Sequence, residues 1–573
     1  MTPRYSQIGK SIKSSLFFSL KKTFQEGYSS QHFRSDVMAG IIVGMVAMPL
    51  GMALAIASGV APQYGLYTII TAGFIVAVLG GSRFQVTGPT AAFVVVLVPI
   101  VQKFGLAGLL LSGMMAGVFL VVMGATRMGK LIQFIPYPVT TGFTAGIALT
   151  IAVLQLKGFF GITLENEPHR FHQNLIALIQ ARHTWVPTEF IIGMVTLFIL
   201  LFWPKLNKKI PAPLVALTLM TVFTVLIKKY YPHIQFETIQ SKFNGIPHEL
   251  PQFKLPWEYA GLSKVSFTLN LKTIEALIPS AFAIAMLGAI ESLLSAVIAD
   301  GMTQTKHDSD AELIALGVGN IVCPFFGGIA ATGAIARTAT NIRFGAKSPI
   351  SSIIHAIFVL ITVLIFAPYI SYLPMATLAA LLLLVAYNIS EIKHALHIIR
   401  IAPKHDVLIL MMCFSLTAFF GIVTGVTVGI VLAALLFMKR MADITSAHAL
   451  MGEHHRHIVH DFPKEVFIYE IAGPLFFGAA EKAMGSIQAI GEQVRIIVFI
   501  MNQVPIMDMT GLVAFESTLK KAMASGKMTF LVGVQEQPLE LLHKSSILKE
   551  TEKIHVLESL HIAREKAAKL LAA

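Results

Sequence analysis

The stretch "VTGPTAAFVVV", residues 86–96, places a Gly-Pro pair and two threonines inside an apolar run that could otherwise cross a bilayer. Backbone N–H and C=O groups are not left unpaired against lipid, so irregular chain at membrane depth is either buried in protein or lines a cavity. Proline is well suited to the first turn of a helix. The stretch therefore predicts a half-helix that begins near Pro89, inside the membrane.

A second break of the same kind lies far along the chain. "TGAIART" from Thr332 opens on Thr-Gly, as does "TGPTAAF" from Thr87, and each is the short third member of a set of seven apolar segments. Because seven is odd, a duplicated unit inserts its second copy upside down. The sequence therefore predicts an inverted repeat in which the N-termini of the two half-helices face each other. The alternative is a Gly-Pro kink packed against neighbouring helices.

The composition indicates a polytopic α-helical membrane protein. Of the 573 residues, 55% are hydrophobic and 13% are charged, whereas a soluble globular domain carries about 25% charged residues. Apolar runs recur between short polar or Gly/Pro-rich connections, which predicts fourteen membrane segments in a 7+7 arrangement. The predicted segments are 37–58, 66–80, 89–102, 105–124, 137–156, 188–203 and 212–228, then 274–299, 312–328, 334–344, 350–367, 375–388, 405–420 and 422–438.

Charge and chain order predict the topology and the domains. The net charge of +13 comes from basic residues dispersed at segment ends rather than gathered in one stripe, which argues against a nucleic-acid partner. Under the positive-inside rule, the basic N-terminal arm is cytoplasmic, and an even number of segments returns the C-terminus to the same side. The predicted domains are a cytosolic arm (1–35), a transmembrane domain (36–441, with repeats at about 36–230 and 271–441), a linker (442–462) and a C-terminal domain (463–573).

The C-terminal domain alternates apolar strands with amphipathic helices, which predicts a cytosolic α/β fold. It contains no Walker-type phosphate loop, so the sequence offers no ATP-driven engine. The protein is not predicted to be an enzyme. The two cysteines lie in apolar segments, which excludes a disulfide framework. Histidines at 453–460 are interpreted as a solvated linker. No metal site or cofactor is therefore predicted.

The two half-helix starts form the candidate binding site. Their first N–H groups lack intrahelical acceptors, and two positive helix-dipole ends that converge on one point favour an anion. Small side chains at both starts would let a ligand approach these donors. The candidate substrate-binding residues are Thr90, Ala91, Ala92, Gly333, Ala334, Ile335, Ala336 and Arg337.

Glu291 is the candidate coupling residue. It is the only charged side chain between Glu275 and Asp300, and a carboxylate at this depth costs roughly 2.5–3.5 kcal/mol on insertion scales. Ser295 lies one turn further along the same helix face and could share a polar cavity with Glu291. Glu291 would exchange a proton during transport, or it is a permanently paired structural acid. Arg337 would contact the anion, or it would neutralise Glu291.

The chain resembles the SulP/SLC26 family of anion transporters. "APQYGLYTIITAGFIVAVLGGSRFQVTGPTAAF", residues 61–93, is similar to the family signature, and the tail resembles a STAS domain. There "MDMTG", residues 507–511, matches the turn whose hydroxyl is phosphorylated in anti-sigma-factor antagonists, with Thr510 in that place. The resemblance implies a UraA-like core (segments one to four and eight to eleven) and gate (five to seven and twelve to fourteen), elevator-like motion, and homodimers. It also implies a bacterial inner-membrane location and a cytosolic protein partner for the STAS domain.

The resemblance also implies a substrate class. "PLGMALAIASGVAPQYGLYT", residues 49–68, and "GGIAATGAIARTATNIR", residues 327–343, look most like the bacterial dicarboxylate branch, which implies proton-coupled uptake of C4-dicarboxylates such as succinate, fumarate and aspartate. Family members often carry Gln after the first-segment proline, whereas Leu50 follows Pro49 here. Three alternatives stay open: a sulfate or bicarbonate carrier coupled to sodium through Glu291 and Ser295, an anion channel, and a signalling or scaffold protein with a passive membrane part.

Overall fold

The computed structural model divides the chain into two compact units, Met1–Ile430 and Val431–Ala573, and each is described by itself. The histidines at 453–460 lie outside the residues that the structure describes, so their interpretation stays a prediction. The described residues are 16–130, 135–164, 171–207, 210–231, 233–234, 236–261, 267–449, 462–476, 493–545, 547–548 and 552–572.

The first half of the membrane unit consists of apolar helices whose ends are set by proline and glycine. Pro62 and Pro187 each occupy the first turn of the helix that they begin. Gly105 has φ 68° and ψ −170°, a conformation that breaks one long helix at the boundary predicted between the third and fourth segments. The elements are α1 (Phe18–Gln25), α2 (Ser30–Ala57), α3 (Pro62–Leu79), β1 (Thr87–Gly88), α4 (Ala91–Ala125), α5 (Tyr137–Phe160), α6 (Phe171–Gln180), α7 (Pro187–Leu206) and α8 (Ala212–Tyr230).

The second half repeats this order after a polar connection. Its short strand and short helix again interrupt the third position. The elements are α9 (Ile239–Phe243) in the connection, α10 (Leu271–Thr303), α11 (Ser309–Val322), β2 (Thr332–Gly333), α12 (Ile335–Arg343), α13 (Ile350–Ile370), α14 (Met375–Ser390), α15 (Ile392–Ile401), α16 (Lys404–Phe420) and α17 (Ile422–Ile444).

The predicted fourteen segments are confirmed within the described residues. Eleven helical stretches are long and apolar enough to cross a membrane, counting α14 and α15 together. One of them, α4, contains two segments on either side of its break. Two shorter helices complete the set: α12, with 9 residues, and α16, with 17 residues.

The two Thr-Gly pairs meet, as the predicted inverted repeat requires. Strands β1 and β2 form an antiparallel two-stranded sheet in which Thr87 lies opposite Gly333 and Gly88 lies opposite Thr332. Each strand leads directly into a half-helix, β1 into α4 and β2 into α12. The pairing therefore brings both half-helix starts to the same depth of the bundle.

The helices sort into the expected core and gate. Helix α4 packs against α10 and α11, and α2 packs against α3 and α13, so segments one to four and eight to eleven form one bundle. Helix α5 packs against α14 and α16, and α7 packs against α8 and α14, which groups the remaining segments. This division agrees with the arrangement that the resemblance implied.

Two glycines allow α2 and α3 to approach closely within the core. A Cβ atom at Gly65 would lie 2.0 Å from the carbonyl oxygen of Gly51, and main-chain atoms cannot move aside as a flexible side chain would. These positions therefore set the distance between the two helices.

The second unit is the predicted α/β domain. Its five-stranded sheet has the order β3-β4-β5-β6-β7, and all neighbours are parallel except β3 and β4. The sheet differs from the predicted boundary, because β3 lies within 442–462, the range assigned to a linker; a four-residue strand is too short to carry an alternating pattern. The elements are β3 (Ser446–Ala449), β4 (Val466–Ala472), β5 (Ile496–Gln503), α18 (Met509–Ala524), β6 (Met528–Val532), α19 (Glu536–Lys544), β7 (Ile554–Leu557) and α20 (Leu560–Ala572).

We expect Gly65→Ala to destabilise the membrane unit, because the added methyl group has no room beside the Gly51 carbonyl and overpacking costs about 1–3 kcal/mol. The purified Gly65→Ala variant in detergent should have a melting temperature several degrees below that of the wild type. Gly158→Ala is the matched control, because a Cβ there would make an ordinary contact of 3.4 Å with Ala379. Equal melting temperatures for the two variants would contradict the packing argument.

Candidate anion site at the paired half-helix starts

The start of α4 is held from two sides by charged residues. Thr90 precedes the helix with extended backbone, and its hydroxyl does not cap its own helix. Instead, Thr90 Oγ1 donates a hydrogen bond to Glu291 Oε2 on α10, 2.7 Å away. The preceding carbonyl, that of Pro89, accepts a hydrogen bond from Arg337 Nη2 on α12. Glu291 and Arg337 thus bind adjacent residues at the start of α4.

Glu291 and Arg337 do not neutralise each other directly. Among the described residues they form no ion pair, and each is instead hydrogen-bonded to the start of α4. Arg337 is 3% exposed, whereas Glu291 is partly exposed. Of the two roles left open for Arg337, a permanent direct pair with Glu291 is not present in this structure.

The backbone donors at the two starts are not equivalent. Ala91 and Ala92 are buried at the start of α4. On the α12 side the N–H group of Ala334 donates to the carbonyl of Val86 at 2.9 Å, so this predicted donor is already engaged. Ala336 is the exposed member of the set. The donors available at the α12 start therefore begin one residue later than the sequence predicted.

Glycine is required where the strands meet these side chains. A Cβ atom at Gly88 would lie 2.4 Å from Arg337 Nη1, and one at Gly333 would lie 2.3 Å from Gln85 Nε2. Gly333 therefore contributes to the site through close packing and strand pairing with Thr87, and Gly88 leaves room for the guanidinium group.

Ser295 braces the strand pair instead of facing Glu291. Its hydroxyl donates to Thr338 Oγ1 at 3.1 Å, and Thr338 Oγ1 accepts the N–H of Val86 at 3.1 Å. Ser295 is 0% exposed. The predicted polar cavity shared by Ser295 and Glu291 is thus replaced by a hydrogen-bond chain that reaches β1.

A buried carboxylate close to β1 was missed by sequence reasoning. Glu312 Oε2 accepts the N–H groups of Gly81 and Ser82 at 2.9 and 3.0 Å, and its Oε1 accepts Gln85 Nε2 at 2.7 Å. Glu312 stands among other acids at the start of α11, so it looked like an ordinary first-turn acid. The available signal was its position one turn before Leu316 on the apolar face of α11.

A crevice of about 1260 Å³ lies between core and gate at the end of the bundle where α2 ends. Its polar lining includes Gln155, Lys157 and Lys242, and its apolar lining includes Val95 of α4. None of the predicted substrate-binding or coupling residues lines it. Val95 is one helical turn beyond Ala91, so the crevice ends about one turn short of the half-helix start.

In the C-terminal unit, Thr510 lies where the sequence placed it. Asp508 caps α18 by accepting the N–H of Gly511 at 2.7 Å, and Thr510 is exposed in the first turn of the helix. Its hydroxyl is therefore accessible, as phosphorylation would require.

The sequence matches the sulfate permease family over residues 33–413 and the STAS domain over residues 457–563. "Putative sulfate transporter YvdB" of Bacillus subtilis is 40% identical over 534 residues, which covers 93% of this chain and 97% of that protein. "Bicarbonate transporter BicA" of Picosynechococcus is 29% identical over 548 residues and covers 91% and 92% of the two chains.

Solved structures agree with the fold. The structure of SLC26A9 has a TM-score of 0.84 with 19% identity and covers 99% of this chain and 95% of that chain. The transmembrane domain of a cyanobacterial bicarbonate transporter, BicA, has a TM-score of 0.58 with 27% identity and covers 71% and 98%. The family match, the named relatives and the solved structures thus agree on one family. The chain belongs to the sulfate permease (SulP/SLC26) family of anion transporters, with a C-terminal STAS domain.

Proposed function

We propose that this protein is a secondary active transporter that carries a small inorganic oxyanion, sulfate or bicarbonate, together with a proton. The observation that carries the proposal is the pairing of β1 with β2, which places two electropositive helix starts beside Arg337. The relatives above carry the names "Putative sulfate transporter" and "Bicarbonate transporter", which favours these anions. The C4-dicarboxylate prediction has no support among those relatives and enters the experiment below as a competing substrate.

Glu291 supplies a physical route to coupling. When it is ionised, its negative charge lies one hydrogen bond from the α4 start and opposes anion binding. A proton on Glu291 removes that charge, so the proton and the anion favour each other's binding, and the coupling is reciprocal. Sodium is the alternative ion. A sodium site here would need the Ser295 hydroxyl as a ligand beside Glu291. That hydroxyl is buried and already hydrogen-bonded to Thr338, which favours the proton as the coupling ion.

The end of the crevice favours alternating access over a channel. A pore would run continuously past the half-helix starts, whereas the crevice stops about one turn short of Ala91. We infer that the core carries the site past the gate in an elevator-like movement. With cytoplasmic termini in a bacterial inner membrane, as the basic N-terminal arm supports, the crevice opens to the outside.

The remaining expectations rest on resemblance. We expect a homodimer in the lipid bilayer, a cytosolic protein partner for the STAS domain, and phosphorylation of Thr510 as a regulatory step. The exposure of Thr510 supports the last of these.

Uptake into proteoliposomes tests the function and the role of Glu291 together. We expect wild-type protein to take up labelled sulfate or bicarbonate faster when the outside is acidic, and succinate to compete poorly. Glu291→Gln should abolish this stimulation, because the amide cannot exchange a proton, while a thermal shift on adding the anion persists.

Glu275→Gln is the matched control, since Glu275 is exposed on the same helix. Glu291→Gln protein that retained full stimulation by the proton gradient would remove this residue from coupling. Strong succinate uptake without sulfate or bicarbonate uptake would restore the dicarboxylate prediction, and stimulation by sodium alone would favour the sodium alternative.

Access through the crevice can be tested with single cysteines. Val98 lines the crevice, whereas the neighbouring Leu97 is 1% exposed. A membrane-impermeant thiol reagent added outside intact cells should modify Val98→Cys much faster than Leu97→Cys. The native cysteines, Cys323 and Cys413, are both 0% exposed and give little background. Equal rates for both variants, or modification only after the cells are opened, would reject an outward-facing crevice.

A further inference from the structure

His355 is a buried imidazole that the proposed mechanism leaves unused. It lies on α13, is 0% exposed, and neither ring nitrogen has a hydrogen-bond partner among the described residues. The backbone of Ser352 lies near the ring without reaching hydrogen-bond geometry. Burying an unpaired polar group costs about 1–3 kcal/mol, so a leucine would be the more stable choice if the residue only filled space.

The helix register places His355 opposite Arg337. Where α12 ends and α13 begins, Asn341 Nδ2 donates to Ser351 Oγ at 2.9 Å. One turn back from this contact on α12 is Arg337, and one turn forward on α13 is His355, so each lies on the helix face that carries the contact.

The guanidinium group has a free donor on this side. Arg337 Nη2 is bound to the Pro89 carbonyl, whereas Nη1 has no partner and lies against Gly88. Thr87 Oγ1 is also buried without a partner. Among the described residues, three buried polar groups without partners, on Thr87, Arg337 and His355, therefore lie in or near the strand that leads into α4.

The packing around Gly73 of α3 places β1 and α13 side by side. A Cβ atom there would lie 3.2 Å from the carbonyl oxygen of Thr87 and 4.0 Å from Cβ of Ala356. The residue after His355 and the residue before Gly88 thus flank the same point. The unpaired groups belong to one small buried region behind the anion site.

We propose that His355 is a positioning residue for Arg337. The neutral imidazole offers a nitrogen lone pair to the Nη1–H group through one ordered water that Thr87 Oγ1 shares. The Pro89 carbonyl holds Nη2, so the two contacts together fix the plane of the guanidinium group and aim its remaining N–H groups at the anion. A charged imidazolium would repel Arg337, which is why the neutral ring is the form that acts here.

This inference rests on the proposed function, and anion affinity tests it. Loss of a hydrogen bond to a charged group should raise the KM for sulfate or bicarbonate about tenfold in His355→Leu, with little change in maximal uptake. His355→Gln keeps an acceptor and should restore most of the affinity.

A double-mutant cycle separates positioning from structure. In an Arg337→Lys background the ammonium group has no guanidinium plane to orient, so His355→Leu should change the KM little further. An unchanged KM in His355→Leu, failure of His355→Gln to restore affinity, or an equal effect in both backgrounds would overturn the inference. Wild-type protein that neither binds nor transports these anions would instead reject the proposed function, which keeps the two failures distinct.

Discussion

The site depends on one constraint, the pairing of backbone polar groups where lipid offers no hydrogen-bond partners. The backbone groups of β1 and β2 pair with each other, and the N–H of Ala334 donates to the carbonyl of Val86. The hydroxyl of Thr332 adds a bond to the Gly288 carbonyl of α10 at 2.8 Å. Since both half-helices begin directly after these strands, the pairing that solves the backbone problem also sets where two positive helix ends meet. The proposed anion site is thus a consequence of how a broken helix satisfies its backbone polar groups inside a membrane.

Two acidic residues of the core differ in how many hydrogen bonds their carboxylates accept, and this difference indicates different roles. Glu312 accepts three hydrogen bonds, two from the backbone and one from Gln85, so its charge is compensated and it holds the segment before β1 in place. Glu291 accepts one hydrogen bond, from Thr90, and remains partly exposed. A carboxylate with few partners has little to lose on taking up a proton, whereas a fully bonded one would lose its whole network. This difference, rather than burial alone, makes Glu291 the better candidate for coupling.

Sequence reasoning could reach the features that come from periodicity and from breaks in it. The two Thr-Gly interruptions, the fourteen segments and the α/β tail were predictable because each leaves a local pattern. The partners of Ser295 and Glu312 were not, because Thr338 and Gln85 are distant in sequence and only the folded strand pair brings them close. The dicarboxylate prediction rested on resemblance alone, because helix dipoles recognise negative charge without specifying which anion carries it.

The distribution of polar contacts bears on how the site would move. The hydrogen bonds that hold the half-helix starts join core elements to one another, as those from Thr90 to Glu291 and from Gln85 to Glu312 do. One contact between core and gate is different: Leu50 of α2 packs against an apolar cluster that includes Leu381 of α14. Apolar surfaces can slide without breaking directional bonds. A core that is internally hydrogen-bonded and meets the gate through apolar packing is suited to carrying its site across the membrane as one body.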